Sequence, residues 1–111
     1  MAGNFEIYKD KAGEFRFRLK AGNGQIILVS EGYKTMASCK NGVDSVKSNA
    51  SVDARYERKA GNTGKFSFNL KATNGQVIAT SESYASEAAR DSGVDSVKAT
   101  APDASVSDLT A

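Results

Sequence analysis

The chain of 111 residues contains no histidine and no tryptophan, and it has one cysteine and one proline. Without histidine there can be no Ser-His-Asp or Cys-His nucleophile system, no imidazole ligand for zinc and no imidazole proton shuttle. A lone Cys39 rules out thiolate zinc and iron–sulfur centres, and it rules out a disulfide within the chain. No apolar run approaches the ~20 residues that a membrane span requires. The opening Met1-Ala2-Gly3-Asn4-Phe5-Glu6-Ile7-Tyr8 lacks the apolar core of a secretory signal and reaches a strand-like pattern at once. No Walker-type phosphate loop and no G-x-G-x-x-G after a strand is present. These absences set the expectation of a soluble protein in a reducing cytoplasm, with no metal, no cofactor and no membrane partner.

Charge of one sign is also scarce. The net charge is +2, too small to imply nucleic acid or an anionic membrane as the main partner. Residues 1–51 carry eight Lys/Arg against five Asp/Glu, and residues 52–111 carry seven against eight, so no basic stripe runs the length of the chain. A chain 40% hydrophobic and 25% charged has the balance of a globular protein, with room for one domain of ordinary size.

What the chain does contain is itself, twice. Residues 5–47 align with residues 56–98 at a constant offset of 51 without a gap, and 21 of the 43 positions are identical. The run from Phe15 to Gln25 returns from Phe66 to Gln76. Ser30-Glu31 and Tyr33 return as Ser81-Glu82 and Tyr84, and Gly42-Val43-Asp44-Ser45-Val46-Lys47 returns whole from Gly93 to Lys98. Identity at this level marks a duplication. The reading is one domain over 1–111, made of repeats at about 5–51 and 56–102 with a tail at 103–111. Arg16 and Arg18 became Ser67 and Asn69 while the interleaved Phe, Phe and Leu stayed, as expected if alternate residues face a core and water.

Each repeat opens with strand signals. Phe5–Lys9 alternates, and Phe15–Lys20 places Phe15, Phe17 and Leu19 on one face and Arg16, Arg18 and Lys20 on the other. Asp10-Lys11-Ala12-Gly13 and Asn23-Gly24 read as hairpin turns leading on to Gln25–Val29. Alternation then stops. Met36, Cys39, Val43, Val46 and Ala50 recur at helical spacing, which predicts a helix over Lys34–Asn49, open to a break at Gly42. Ser30 and Ser38 are candidate starts. The second copy predicts a helix over Ala85–Thr100, ending before Pro102. Ser51–Arg58 and Ala104–Leu109 both alternate weakly, so either is a candidate fourth strand.

The F-x-F-x-L-K-A-x-N-x-Q runs at Phe15–Gln25 and Phe66–Gln76 carry a family likeness. They are joined by the Ser-Glu-x-Tyr segments and the Gly-Val-Asp-Ser-Val-Lys blocks. As a paired set they make the chain resemble the YegP-like family of small bacterial proteins, in its duplicated form, over nearly its whole length. The resemblance implies an α+β fold: two tandem β-β-β-α-β repeats form one pseudo-twofold domain with an antiparallel sheet and exchanged C-terminal strands. It brings no catalytic residues.

Candidate functional residues are few. Arg16, Arg18 and Lys20 form a short basic strand face in the first repeat only. Among the polar residues both copies share are Asn23/Asn74, Gln25/Gln76, Ser30/Ser81, Glu31/Glu82 and Tyr33/Tyr84. Turn geometry accounts for the asparagines. Ser30-Glu31 suits helix capping, and Tyr33 suits covering a sheet edge with its hydroxyl hydrogen-bonded. A symmetric pair of ligand grooves is the competing reading for this set. Cys39 lies on the helical stripe, at the position Arg90 takes in the second copy, and reads as a small buried residue rather than a nucleophile. Glu31 and Asp44 are conceivable paired acids that no spacing brings together.

The expectation is a non-catalytic binding or interaction module whose possible partner surface includes Arg16, Arg18, Lys20, Tyr33 and Tyr84. A protein is the expected partner. Weak single-stranded nucleic-acid binding through the basic face is the alternative. The chain is expected to be a monomer, with weak dimers through open sheet edges.

Overall fold

In the first repeat, period-2 alternation resolves into β1 (Asn4–Lys9), β2 (Phe15–Lys20) and β3 (Ile26–Ser30). The second repeat gives β4 (Tyr56–Ala60), β5 (Phe66–Lys71) and β6 (Val77–Thr80). Helices α1 (Met36–Asn49) and α2 (Glu87–Thr100) follow β3 and β6, and β7 (Ser105–Asp108) closes the chain. The computed structural model describes residues 3–61 and 63–110.

All seven strands form one sheet in the order β4-β5-β6-β3-β2-β1-β7. Every pairing is antiparallel except β1 with β7. The repeats meet where β3 pairs with β6, with Val29 opposite Thr80. Those positions differ by the repeat offset of 51, so the pseudo-twofold axis passes through that pair. Phe5, Phe17, Leu19, Leu28, Phe68 and Leu70 are fully buried together with Val46, Val94 and Val97 of the helices, in one continuous apolar layer. Helix α1 packs on β2 and reaches β5 and β6 of the other repeat, while α2 packs on β5 and reaches β3.

The β2–β3 turn shows how local sequence sets the frame. Asn23 Oδ1 accepts a hydrogen bond from the backbone N–H of Gln25 at 3.0 Å, and Gly24 takes φ +86°, a left-handed value that glycine adopts at little cost. Gly24 N–H donates to Ala21 C=O and Ala21 N–H donates to Gln25 C=O, which makes a three-residue loop rather than a tight two-residue turn. Asn74, Gly75 and Gln76 repeat the arrangement.

Both helices begin later than the periodicity suggests. The N-caps are Thr35 and Ser86, whose hydroxyls accept from the N–H of Ser38 and Ala89. Ser30 has a different role. Its hydroxyl accepts from Phe17 N–H at 2.9 Å and donates to Glu31 C=O, taking the place of a backbone rung where β3 turns towards β6. Ser81 does the same with Phe68 and Glu82. Neither helix breaks at its glycine.

The final strand exists. Ser105–Asp108 lies parallel to β1, with Val106 beside Phe5, so the second repeat lends its last strand to the first. The loan is one-way: Ser51–Arg58 does not form the equivalent strand, and Asp53–Arg55 is instead a 3-10 turn running directly into β4. The register shows why. Ser105 pairs with Asn4, so by the offset of 51 Ala54 would have to lie beside Arg55, its own chain neighbour. The link between the repeats is too short to supply a strand and reach β4 as well. Both β4 and β7 therefore have an unpaired outer edge.

Candidate functional site

The basic face of β2 lies on the side of the sheet away from the helices, and acids of its own repeat pair with it. Arg16 Nε is 2.7 Å from Asp10 Oδ2, Arg18 Nε is 2.8 Å from Glu6 Oε1, and Lys20 Nζ is 3.2 Å from the same oxygen. The Arg18 guanidinium also lies 4.8 Å from the centroid of Tyr8. Hydrogen bonding from Arg18, then from Lys20, holds Glu6 below the ordinary carboxylate range, and Arg16 chiefly does so for Asp10. In the second repeat Glu57 accepts from Asn69 and Lys71 at 2.9 and 3.3 Å. Glu6 and Glu57 were thus the shared acids with a partner to serve; their identity across the repeats was the available signal.

Cys39 is fully buried, and burial chiefly pushes its thiol up to about 11, which leaves almost no thiolate at neutral pH. Among the described residues no cluster of three or more His, Cys, Asp or Glu forms a metal-ligand set. Asp44 borders a cleft of about 370 Å³ between α1 and β7, and Glu31 does not line it.

The shared polar residues do assemble, across the repeat boundary. After β3, the backbone of Tyr33 pairs with Phe15 and its ring stacks on Phe17 at 6.3 Å between centroids, with 13° between planes. The ring lies over Gly42 of α1: a Cβ there would stand 2.5 Å from the Tyr33 hydroxyl and 2.9 Å from Phe17 Cε2. This close approach explains a glycine inside the helix, at a cost of about 1 kcal/mol in propensity. Tyr84 repeats the arrangement on Phe68 (6.4 Å, 9°) and over Gly93.

Each tyrosine, with the helix behind it, forms one wall of a groove whose other wall is the hairpin of the opposite repeat. Tyr33, Gly42 and Ser45 face Asn74, Gln76 and Ile78 across about 320 Å³. Tyr84, Gly93 and Ser96 face Asn23, Gln25 and Ile27 across about 250 Å³. Neither Tyr hydroxyl makes a hydrogen bond to a described residue, and neither do the side-chain amides of Gln25 and Gln76. Burial raises both phenols above their ordinary value, so they stay protonated at physiological pH. Among the described residues, no charged side chain lines either groove. What they offer is a set of neutral donors and acceptors over an aliphatic floor. An arrangement of this kind can hold a polar ligand through hydrogen bonds.

Fold and site together define a class: a duplicated α+β unit closed into one sheet, with a pseudo-equivalent pair of grooves built across the repeats. A family model described as "Domain of unknown function (DUF1508)" matches twice, at residues 10–57 and 62–108, and the chain belongs to that family. It is 70% identical over 106 residues to the "UPF0339 protein in ptx operon 5'region" of Stutzerimonas stutzeri, covering 96% of each chain. It is 48% identical over 110 residues to the UPF0339 protein YegP of Escherichia coli (strain K12), covering 99% of this chain and 100% of the relative. The solution NMR structure of Escherichia coli YegP, titled a protein of unknown function, matches with a TM-score of 0.94 at 48% identity, over 99% of this chain and 95% of that one. That of a UPF0339 protein from Shewanella oneidensis matches with a TM-score of 0.94 at 44% identity, over 99% and 93%.

Proposed function

We propose that the protein is a non-catalytic binding module that takes a small ligand in each of the two inter-repeat grooves. One observation carries this. Nine positions line both grooves in equivalent places, and seven of them are the same residue in both, against 21 of 43 across the whole alignment. Packing accounts for the glycines, and turn geometry for the asparagines. Neither accounts for Gln25 and Gln76, which are exposed and without side-chain partners yet kept in both copies.

The reading includes a cytoplasmic location, supported by a single buried thiol, and a monomer, supported by the β3–β6 pairing that joins the two repeats within one chain. Nucleic-acid binding through Arg16, Arg18 and Lys20 has less support, because all three are already ion-paired.

The test is a small-molecule library screened against the isotope-labelled full chain by amide chemical shifts. Ligands that move Gly42, Ser45 and Gln76 together with Gly93, Ser96 and Gln25 are the expected outcome. Hits confined to the open sheet face, or none in either groove, would refute the reading.

A further inference from the structure

We infer that the grooves take uncharged, hydroxyl-rich single-ring ligands, of the class of the neutral monosaccharides, and that the groove beside Tyr33 is the tighter site. This rests on the binding reading above and adds the chemistry of the ligand. The two volumes, about 320 and 250 Å³, lie at or below the lower end of the ~300–1,000 Å³ usual for small-molecule sites, so one ring fits and a dinucleotide does not. Both linings lack any Lys, Arg, Asp or Glu, so a phosphate, carboxylate or ammonium entering there would lose hydration without gaining a counter-charge.

The uncharged groups present are those that pair with hydroxyls: a phenol, at least two carboxamides and two serines in each groove. The Gln carboxamide and Tyr hydroxyl each both donate and accept, as a sugar hydroxyl does. Asn74 Oδ1 is occupied by the Gln76 N–H, leaving its amide protons as donors. Ile78 and Ala72 give an aliphatic floor for the apolar face of a ring.

The two sites differ at Ser38 and Asn41 beside Tyr33, where the second groove has Ala89 and Ser92. Ser38 and Asn41 carry one hydroxyl and one carboxamide where the second groove has a methyl and one hydroxyl. The first groove is also the larger. More hydrogen-bonding capacity around the same floor makes it the stronger site for a polar ring.

The experiment follows amide shifts of the full chain with four probes on one ring scaffold: glucose, N-acetylglucosamine, cationic glucosamine and anionic glucose phosphate. Expected are saturable shifts at Gly42, Ser45 and Gln76 with glucose and N-acetylglucosamine, followed at higher concentration by Gly93, Ser96 and Gln25. The two charged probes should move neither set. Tyr33→Phe should weaken the first site by about 3- to 10-fold, the worth of one hydrogen bond, and leave the second unchanged; Tyr84→Phe should do the converse. An unchanged thermal melt would confirm that both variants fold. Charged probes binding in the grooves as well as neutral ones would overturn the ligand class while leaving the binding function in place. So would grooves that respond to other library members but to no neutral sugar. Grooves silent to every probe and every library member would overturn both.

Discussion

At the scale of single residues, the pairing of Tyr33 with Gly42 ties stability to the site. Glycine to alanine within a helix ordinarily stabilises by roughly 1 kcal/mol. Here the new methyl would stand 2.5 Å from the Tyr33 hydroxyl and 2.9 Å from Phe17, closer than packed atoms tolerate. Gly42→Ala should therefore destabilise by about 1–3 kcal/mol, the usual cost of overpacking, and should displace the ring from the groove. Urea unfolding followed by circular dichroism measures the first effect, and Tyr33 side-chain shifts the second. A gain in stability would mean that the ring yields freely. The repeat alignment singles out Tyr33, Tyr84, Gln25 and Gln76. It could not show that Tyr33 faces Gln76 rather than Gln25, because that depends on a helix of one repeat meeting a hairpin of the other. Ser30 misled for a local reason: a serine ahead of a helix resembles a cap, and only the strand geometry reveals that its hydroxyl replaces a missing backbone rung.

At the scale of elements, strands and helices were legible because their periodicities are clean, and the three-strand order followed from the turn residues. The ends were less legible. Met36 falls in register with the stripe, but Thr35 caps the helix, so the predicted start at Lys34 was two residues early. Strand β7 was the hardest element to read, since its Val106 and the Leu109 just beyond it, 46% and 52% exposed, leave only a weak apolar signal. Its work is done through the backbone against β1, which sequence alone does not announce. The cleft lined by Ile7, Val43 and Val106 lies between β7 and α1, the helix that carries Cys39, and Asp108 is near enough to help raise the thiol. Ending the chain at Ala104 should uncover β1 and loosen α1 above it. Cys39, inaccessible in the intact protein, should then react with a thiol reagent at least about tenfold faster under native conditions, as local opening becomes cheaper. An unchanged labelling rate would show that β7 contributes nothing to closing that edge.

At the scale of the whole molecule, neither repeat closes its own interior. Helix α1 reaches over β5 and β6, α2 reaches over β3, and β1 is flanked by a strand from the far end of the chain. Cutting between the repeats would bare the β3 edge that pairs with β6, remove β7 from β1, and expose apolar side chains that each contribute about 1.5–3 kcal/mol when fully buried. A unit of about fifty residues buries too small a fraction of its surface to absorb such losses. Residues 1–51 expressed alone should therefore show no cooperative melt as a monomer at low micromolar concentration. Any folding should depend on concentration, because a second copy can supply the missing β6 edge through the same Val29 register. Adding residues 52–111 in trans should restore native-like dispersion in amide spectra, with the groove residues among the signals recovered. Sedimentation equilibrium together with thermal melts over a hundredfold concentration range decides the matter. A sharp, concentration-independent transition of a monomeric half would mean that each repeat is self-sufficient. The grooves would then be a seam between two finished domains and not the product of a shared core.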